Sequence, residues 1–213
     1  MNFELYPLIL PFGVLTLNFQ KLPRSFYTRP TLRVAKDLLG KILVRKIGKT
    51  ILAGKIVEVE AYLGSKDPAS HAYRGQTKRN EVMFREGGHL YVYFTYGMHF
   101  CANVVTGREG IAEAVLVRGV EPLEGIGRMK KNRGLQSSEE NLTNGPAKFC
   151  QAFDIGREQN GADLLGKEIF ICDAKRTSRA LICTSTRIGI TNAQDRRWRF
   201  FIRENKWVSK SKK

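Results

Sequence analysis

The sequence is poor in the residues that build metal centres and disulfide frameworks. Its 213 residues include only three histidines and four cysteines, and no two cysteines form a CxxC pair. The histidines, His71, His89 and His99, are not spaced as zinc ligands beside a cysteine. The cysteines therefore indicate buried, reduced thiols in a cytosolic protein rather than disulfides or a zinc site.

A long hydrophobic run is also missing. The apolar first twenty residues are interrupted by Pro7, Pro11 and Gly13, and no basic segment or small-residue cleavage site accompanies them. This stretch is too short and too interrupted for a membrane-spanning helix, and it does not have the layout of a signal peptide. We therefore expect neither an anchor nor a signal.

Acidic residues are scarce relative to basic ones. Asp and Glu number 20 against 36 Lys and Arg, so the formal net charge is +16. The positive charges are spread along the chain, which favours a broad face that binds a polyanion over a single basic tail. This charge favours nucleic acid as the partner, with an anionic membrane surface in second place.

Length and composition predict one domain. A chain of 213 residues with 42% hydrophobic content fills one sizeable core, and it contains no internal repeat. We expect residues 23–208 to form this domain. Residues 1–22 are an extension of unknown role, and residues 209–213 are a basic tail.

Hydrophobic spacing predicts helices and strands in alternation with turns. Helices are predicted at Thr31–Leu39, from Pro122 to Met129 and at Pro146–Phe153. Strands are predicted at Lys41–Lys46, Thr50–Tyr62, Ala112–Val120, Ile169–Cys172, Thr186–Thr191 and Arg199–Arg203, with a hairpin at Gly88–Val105. Many strands follow one another in hairpin order. We therefore expect a mixed α/β (α+β) fold, a single domain around a curved, largely antiparallel sheet with a protruding β-hairpin.

The predicted strand at Thr50–Tyr62 carries two carboxylates on one face. Its period-2 alternation places Glu58, Glu60 and Tyr62 together, opposite a row of small apolar residues. A solvated sheet face would carry such residues without any function. A carboxylate in a groove that binds phosphates repels them, however, so an acid retained there indicates a chemical role.

Aromatic side chains dominate the predicted hairpin. Alternation places Tyr91 and Tyr93 on one face, and Tyr96 falls near the turn beside Gly97. Paired aromatic residues of this kind commonly pack in a core. An aromatic ring at a hairpin tip is also suited to insertion between base pairs, which makes Tyr96 a candidate wedge.

The segment between the acidic strand and the hairpin, residues 65–84, is rich in small, polar and basic residues. This composition is typical of a loop that reaches a ligand. His71 lies nine residues after Tyr62, so the loop could fold back over that ring. Its basic residues are suited to phosphate contacts as a set, although solvated surface charge explains any one of them alone.

Five segments, in this order, resemble the alkyladenine DNA glycosylase family, the 3-methyladenine DNA glycosylases of mammalian type. They are IVEVEAYLG, the basic loop ending in QTKRN, LYVYFTYGMHFCANV, VLVRGVEPLEG and GPAKFCQA. The resemblance runs from Ser25 to Ser209, and five ordered motifs are far more specific than one. It implies a monofunctional glycosylase of base-excision repair. Such an enzyme flips 3-methyladenine, 7-methylguanine, hypoxanthine or ethenoadenine out of duplex DNA and hydrolyses the N-glycosidic bond, leaving an abasic site.

The resemblance also implies roles for residues at the reaction centre. Glu60 matches the catalytic carboxylate that activates water, and Arg118 matches a residue near that water. The backbone carbonyl of Ile188 matches a position that contacts the same water. The base-binding pocket is matched by Tyr62, His71, Tyr93 and Asn103, of which the last limits the entry of ordinary guanine.

The DNA contacts follow from the same resemblance. Tyr96 matches the residue that enters the minor groove and fills the gap left by the flipped nucleotide. Matches at the DNA backbone are Arg74, Lys78, Arg79 and Met98. The family implies no cofactor and no metal, double-stranded DNA with damaged purines as the partner, no membrane, a monomer, and a nucleoid-associated place in the bacterial cytoplasm.

Two other classes of function stay open on the sequence. Glu58 and Glu60, adjacent on one face, could hold Mg²⁺ in a metal-dependent nuclease, although no further acidic cluster supports this. Alternatively, the tyrosines could stack bases in an RNA- or DNA-binding protein without catalysis. Base release that resists a chelator excludes the first class, and DNA binding without release of free base indicates the second.

Overall fold

The computed structural model describes residues 20–134, 139 and 141–210, together with the backbone of two strands at 6–10 and 13–17. The helices are α1 (Arg24–Tyr27), α2 (Thr31–Leu38), α3 (Ile126–Arg133) and α4 (Pro146–Ala152). The strands are β1 (Tyr6–Leu10), β2 (Gly13–Leu17), β3 (Ile42–Ile47), β4 (Thr50–Tyr62), β5 (Leu90–Thr95), β6 (His99–Thr106), β7 (Glu113–Glu124), β8 (Ile169–Cys172), β9 (Ile182–Ser185) and β10 (Arg199–Ile202). Short 3₁₀ helices lie at Gly64–Lys66, Glu81–Phe84, Arg157–Gln159 and Arg179–Leu181.

Eight of the strands form one curved sheet. Its order is β5-β6-β7-β4-β10-β9, with β3 paired to both β4 and β8. Each of these pairings is antiparallel. The long strand β4 bends at bulges, pairing with β3 along its first half and with β10 near its end. The α+β fold around a curved antiparallel sheet is confirmed, and β1 and β2 form a separate two-stranded sheet.

One face of the main sheet forms the hydrophobic core with the helices. Val57, Val59 and Ala61 of β4 point to this face and are fully buried. The helical layer contributes further fully buried side chains: Val34, Leu38, Phe149 and Phe153. Full burial of one Val, Leu or Phe side chain stabilises a domain by roughly 1.5–3 kcal/mol. Packing of the helical layer therefore stabilises the sheet.

The opposite face carries a polar and aromatic row that crosses four strands. Residues directly opposite one another in an antiparallel ladder point to the same face. In this register Tyr91 lies opposite Asn103, Asn103 opposite Leu116, and Leu116 opposite Glu60. Tyr93 lies opposite Cys101 in the same way. The fold thus gathers residues from distant parts of the sequence on one surface.

Two of the predicted elements are wrong in place or type. A helix was predicted from Pro122, but β7 continues through Pro122 to Glu124 and the helix begins at Ile126. Proline lacks an N–H, and here it lies at a bulge, where a strand tolerates it. The segment predicted as a strand at Thr186–Thr191 is a loop, in which Gly189 has a φ of +75° and the N–H of Ile188 donates to Glu60.

The segments around the sheet contribute more to the interior than their composition indicates. Val82 and Met83, in the loop predicted to reach a ligand, are buried in a small second core with Tyr91. Ser209, assigned by its composition to the basic tail, is only 8% exposed. Its backbone N–H donates a hydrogen bond to Glu58, so this residue packs with the domain.

Candidate active site

A cleft of about 560 Å³ opens on the polar face of the sheet. Its walls are the hairpin β5–β6, the loop after β4 and the loop before β10. The residues predicted for the site that line it are Tyr62, His71, Tyr93, Tyr96, Asn103, Arg118 and Ile188. Its volume falls in the range of small-molecule sites, which is about 300–1,000 Å³. The structure therefore brings these separated residues together.

Glu60 lies behind this lining and is fully buried. Its Oε1 accepts a hydrogen bond from the backbone N–H of Ile188 at 2.8 Å, and its Oε2 accepts one from the Tyr62 hydroxyl at 2.9 Å. Nη1 of Arg118 lies 3.3 Å from Oε2. A buried carboxylate needs such partners, and together they orient Glu60 towards the cleft side of the sheet. The loop before β10 brings the N–H of Ile188 to Glu60. That the carbonyl of Ile188 contacts the water stays a prediction.

Arg118 reaches both carboxylates of β4 from a β-bulge. Glu58 pairs with Gly119 and Val59 pairs with Val117, so Arg118 is the extra residue of β7. Its Nε donates to Glu58 Oε1 at 3.1 Å. Although burial lowers the pKa of the guanidinium, Glu60 and Glu58 outweigh this effect and raise its pKa. Arg118 therefore places a permanent positive charge beside Glu60.

Glu58 differs from Glu60 in being saturated by its neighbours. Oε1 accepts hydrogen bonds from Arg118, from Arg199 Nε at 2.6 Å and from the Ser209 hydroxyl at 2.7 Å. Oε2 accepts the backbone N–H of Ser209 at 2.6 Å. Mg²⁺ needs free carboxylate oxygens, which Glu58 does not offer. Within the described part of the chain, no group of three or more His, Cys, Asp and Glu side chains is placed to hold a metal ion.

Tyr62 forms part of the cleft floor and stays a hydrogen-bond donor. Burial, followed by the neighbouring negative charge of Glu60, raises the pKa of its phenol well above the ordinary value of 10.0. The guanidinium of Arg187 lies over the ring of Tyr62, 4.6 Å from its centroid. The ring is therefore held in place by Glu60 at its hydroxyl and by a cation over its face.

His71 and two tyrosines form an aromatic wall of the cleft. The His71 ring lies 4.5 Å from that of Tyr93 in an edge arrangement, and Tyr91 and Tyr93 stack at 5.6 Å. Nδ1 of His71 is 3.0 Å from the Tyr91 hydroxyl. Burial, followed by the charge of Arg79, lowers the pKa of His71 to about 4. The wall is therefore uncharged at neutral pH, which suits a base that carries a positive charge.

The hairpin tip presents Tyr96 to solvent. The side chain is 84% exposed, and its backbone has a φ of +50° in the left-handed region. Gly97 follows with a φ of +68°, and the N–H of Met98 closes the turn on the carbonyl of Thr95. A tyrosine held in this conformation is strained, and strain of this kind concentrates at functional positions. The exposed ring protrudes at the mouth of the cleft.

The residues predicted to meet the DNA backbone are not part of the cleft lining. Arg74, Lys78 and Arg79 are exposed, and Met98 is 70% exposed. Arg79 also lies 5.7 Å from the Tyr93 ring centroid. It therefore touches the aromatic wall, whereas no such contact with the site is seen for Lys78 within the described residues.

Sequence reasoning missed an ion pair that joins two walls of the cleft. Arg187 and Asp67 are each fully buried at the side chain, and Nη2 of Arg187 donates to Asp67 Oδ1 at 2.8 Å. A second hydrogen bond joins the same groups, and Nη1 also donates to the carbonyl of Ala61 at 3.0 Å. A separation of 120 residues explains why no local pattern indicates this pair.

The chain matches a known protein family over most of its length. The family model for methylpurine-DNA glycosylase matches residues 25–206. A relative from Carboxydothermus hydrogenoformans is 54% identical over 190 residues, which are 89% of this chain and 98% of the relative. A relative from Clostridium acetobutylicum is 47% identical over 204 residues, which cover 91% of this chain and 99% of the relative. A third relative, from Chlorobium luteolum, is 47% identical over 193 residues, which cover 90% of this chain and 98% of the relative.

All three relatives are provisionally named 3-methyladenine DNA glycosylases. The matches cover the strands that build the cleft and the loop that carries Ile188. Within the described residues no helix has the length and apolar character needed to cross a bilayer. The family match extends over far more than half of the sequence. This chain therefore belongs to the methylpurine-DNA glycosylase family of DNA-repair enzymes, which are monofunctional glycosylases that hydrolyse N-glycosyl bonds.

Proposed function

We propose that this protein excises alkylated or deaminated purines, including 3-methyladenine, 7-methylguanine, hypoxanthine and ethenoadenine, from duplex DNA. The damaged nucleotide is flipped into the cleft, and Tyr96 fills the gap that it leaves. The product is an abasic site. The protein acts as a monomer on DNA in the bacterial cytoplasm.

The observation that carries this proposal is the buried carboxylate of Glu60 behind an aromatic cleft. A carboxylate removed from water and held by Tyr62, Ile188 and Arg118 is positioned for one chemical task. The cleft also has walls on which a flat base can stack. Both features are expected of a glycosylase and are unnecessary for a protein that only binds nucleic acid.

The chemistry is a hydrolysis in which Glu60 is the general base. Water attacks C1′ of the deoxyribose, Glu60 accepts a proton from it, and the C1′–N bond breaks with its electron pair leaving on the base. Purines alkylated at N3 or N7 are cationic and leave readily. His71, which is uncharged at neutral pH, and the rings of Tyr62 and Tyr93 offer aromatic surface on which such a base can stack. Arg118 lies beside Glu60 and stabilises the arrangement of charge.

The test is release of free base from duplex DNA that contains 3-methyladenine or hypoxanthine, with a chelator present. Wild type is compared with Glu60→Gln, which keeps the shape of the side chain and removes the base. Glu139→Gln is the matched control, because Glu139 pairs with Lys130 away from the cleft. We expect release by wild type and the control, and lesion binding without release by Glu60→Gln. Release by Glu60→Gln at the wild-type rate contradicts the role of Glu60.

A further inference from the structure

Glu58 is a fully buried carboxylate that the proposed reaction does not use. It lies two residues before Glu60 on the same face of β4, and Arg118 bridges the two. Isolated burial of such a charge is very unfavourable, so its retention requires compensating partners. Arg118, Arg199 and Ser209 provide them. We therefore look for the function of Glu58 in the residues that it binds.

The partner that comes from farthest along the chain is Ser209. Its N–H donates to Oε2 of Glu58 at 2.6 Å and its hydroxyl to Oε1 at 2.7 Å, across a separation of 151 residues. The hydroxyl oxygen also lies 3.5 Å from Nη2 of Arg118, and Arg199 Nη2 donates to the Ser209 carbonyl at 3.2 Å. The C-terminal segment therefore closes the polar cluster from its far side.

Gly119 allows this segment to approach. A Cβ atom at Gly119 would lie 2.5 Å from the carbonyl oxygen of Trp207 and 3.2 Å from Cβ of Glu58. Any larger residue there would displace the backbone that leads to Ser209. Trp207 is only 4% exposed and packs in the main core, which fixes the segment two residues before Ser209. The bulge of β7 thus packs closely against the segment from Trp207 to Ser209.

We propose that Glu58 and Ser209 are positioning residues that aim Arg118 at Glu60. This inference rests on the proposed role of Glu60 as the general base. Glu58 holds Nε of Arg118, which leaves Nη1 at 3.3 Å from the Glu60 carboxylate. Ser209 holds Glu58 by two hydrogen bonds and so sets the position of its oxygens. The segment that carries Ser209 is therefore part of the support of the reaction centre.

The cluster contains equal numbers of positive and negative side chains. Arg118 and Arg199 oppose Glu58 and Glu60, so two cations face two carboxylates in a buried region. If the charge of Glu58 is removed, two guanidinium groups are left with one carboxylate between them. Arg118 then loses the carboxylate that fixes its Nε, so its Nη1 is no longer held in place 3.3 Å from Glu60. Glu58 thus keeps Arg118 in its position beside Glu60.

Ser209→Ala is the milder test, because it removes one hydroxyl and keeps the backbone N–H. We expect the single-turnover excision rate to fall about tenfold, the equivalent of one hydrogen bond to a charged group, with lesion-DNA affinity unchanged. Thr106→Ala is the matched control for stability. It also removes a buried hydroxyl, one that lies 2.8 Å from that of Thr31, and Thr106 does not line the cleft.

Two truncations test the same point without a substitution. A chain that ends at Lys210 keeps Ser209 and should excise at the wild-type rate. A chain that ends at Val208 loses both hydrogen bonds and brings a terminal carboxylate next to Glu58, so its excision rate should fall further than that of Ser209→Ala. Circular dichroism and thermal unfolding establish that each variant folds.

Coupling to Arg118 separates positioning from a general loss of stability. In an Arg118→Lys background, Ser209→Ala should have no further effect on the excision rate, because the residue through which it acts is gone. Equal fractional losses in both backgrounds, or a wild-type rate for Ser209→Ala, would overturn the proposal. Glu60→Gln is measured alongside. If that variant still excises, the proposed function fails; if it is inactive while Ser209→Ala is normal, only the positioning role fails.

Discussion

Arg187 and Asp67 form a buried ion pair with two hydrogen bonds that fastens the loop before β10 to the loop after β4. The first loop carries Ile188 and the second carries His71, so the pair joins two walls of the cleft. Arg187 also lies over the ring of Tyr62. Its position couples the stability of the fold to the shape of the site.

Replacing one partner of this pair should destabilise the protein strongly. Asp67→Asn leaves the guanidinium of Arg187 buried without a counter-charge, which lowers the free energy of unfolding by about 3–5 kcal/mol. Arg187→Lys should be similarly harmful, because lysine cannot make the two-point contact. Urea denaturation measures the effect. A loss below about 1 kcal/mol for both variants, as is typical of exposed pairs, would contradict this interpretation.

Acid should weaken the fold through the same carboxylate. Burial raises the pKa of Asp67, but the hydrogen bonds and charge of Arg187 outweigh it, and the pKa lies below the ordinary 3.8. The unfolded state therefore binds this proton first, so the contribution of Asp67 is present above about pH 3.8 and is lost as the pH falls through the folded-state pKa. Unfolding measured against pH should show a shallower acid limb for Asp67→Asn than for wild type.

Tyr96 should be a site where stability and function oppose each other. Its left-handed backbone costs roughly 1–2 kcal/mol for a residue other than Gly, Asn or Asp. Tyr96→Asn should relieve part of this strain and raise the Tm by about 2–4 °C, while affinity for lesion DNA falls because the ring is lost. Tyr96→Ala loses the ring and keeps the strain, so it should lose the same affinity without a gain in Tm. A Tyr96→Asn variant that binds lesions as well as wild type would exclude the wedge.

His71 should remain neutral well below its usual titration range. The imidazole resonances should titrate near pH 4 rather than 6.5, because burial and the charge of Arg79 both disfavour the protonated ring. The unfolded chain gains this proton first as the pH falls below 6.5, so His71 lowers stability progressively between pH 6.5 and about 4. Arg79→Gln removes one of the two causes and should raise the pKa of His71. NMR titration of both proteins checks the shift, and a wild-type midpoint near 6.5 would contradict it.

Lys78 and Arg79 should differ in what they contribute to DNA binding. Lys78→Ala removes one exposed charge, so the slope of log K against log salt concentration should fall by about one, with the excision rate unchanged. Arg79 also lies against the aromatic wall and donates to the carbonyl of Phe94 at 3.4 Å. Arg79→Ala should therefore lower both the salt dependence and the excision rate. Identical effects of the two substitutions would show that Arg79 acts as a surface charge alone.

Local pattern in the sequence was enough to predict the platform of the site. The alternation of β4 correctly placed Glu58, Glu60 and Tyr62 on one face, and strand bounds at Thr50–Tyr62 are confirmed. A period of two depends on the backbone alone, so it can be seen in a single strand. Alternation in the hairpin also correctly placed Tyr91 and Tyr93 on one face, and the structure shows that both line the cleft.

The sequence by itself thus determined the α+β class, the acidic strand and the aromatic hairpin, because periodicity and turn chemistry act between near neighbours. Only the tertiary structure decided which of the two carboxylates is saturated. Glu58 and Glu60 have the same spacing and chemistry, and their difference arises from Arg199 and Ser209, which arrive from 141 and 151 residues away. The Asp67–Arg187 pair depends on the same kind of long-range closure. Such contacts form only when the folded sheet brings distant segments together, so they leave no pattern among neighbouring residues of the sequence.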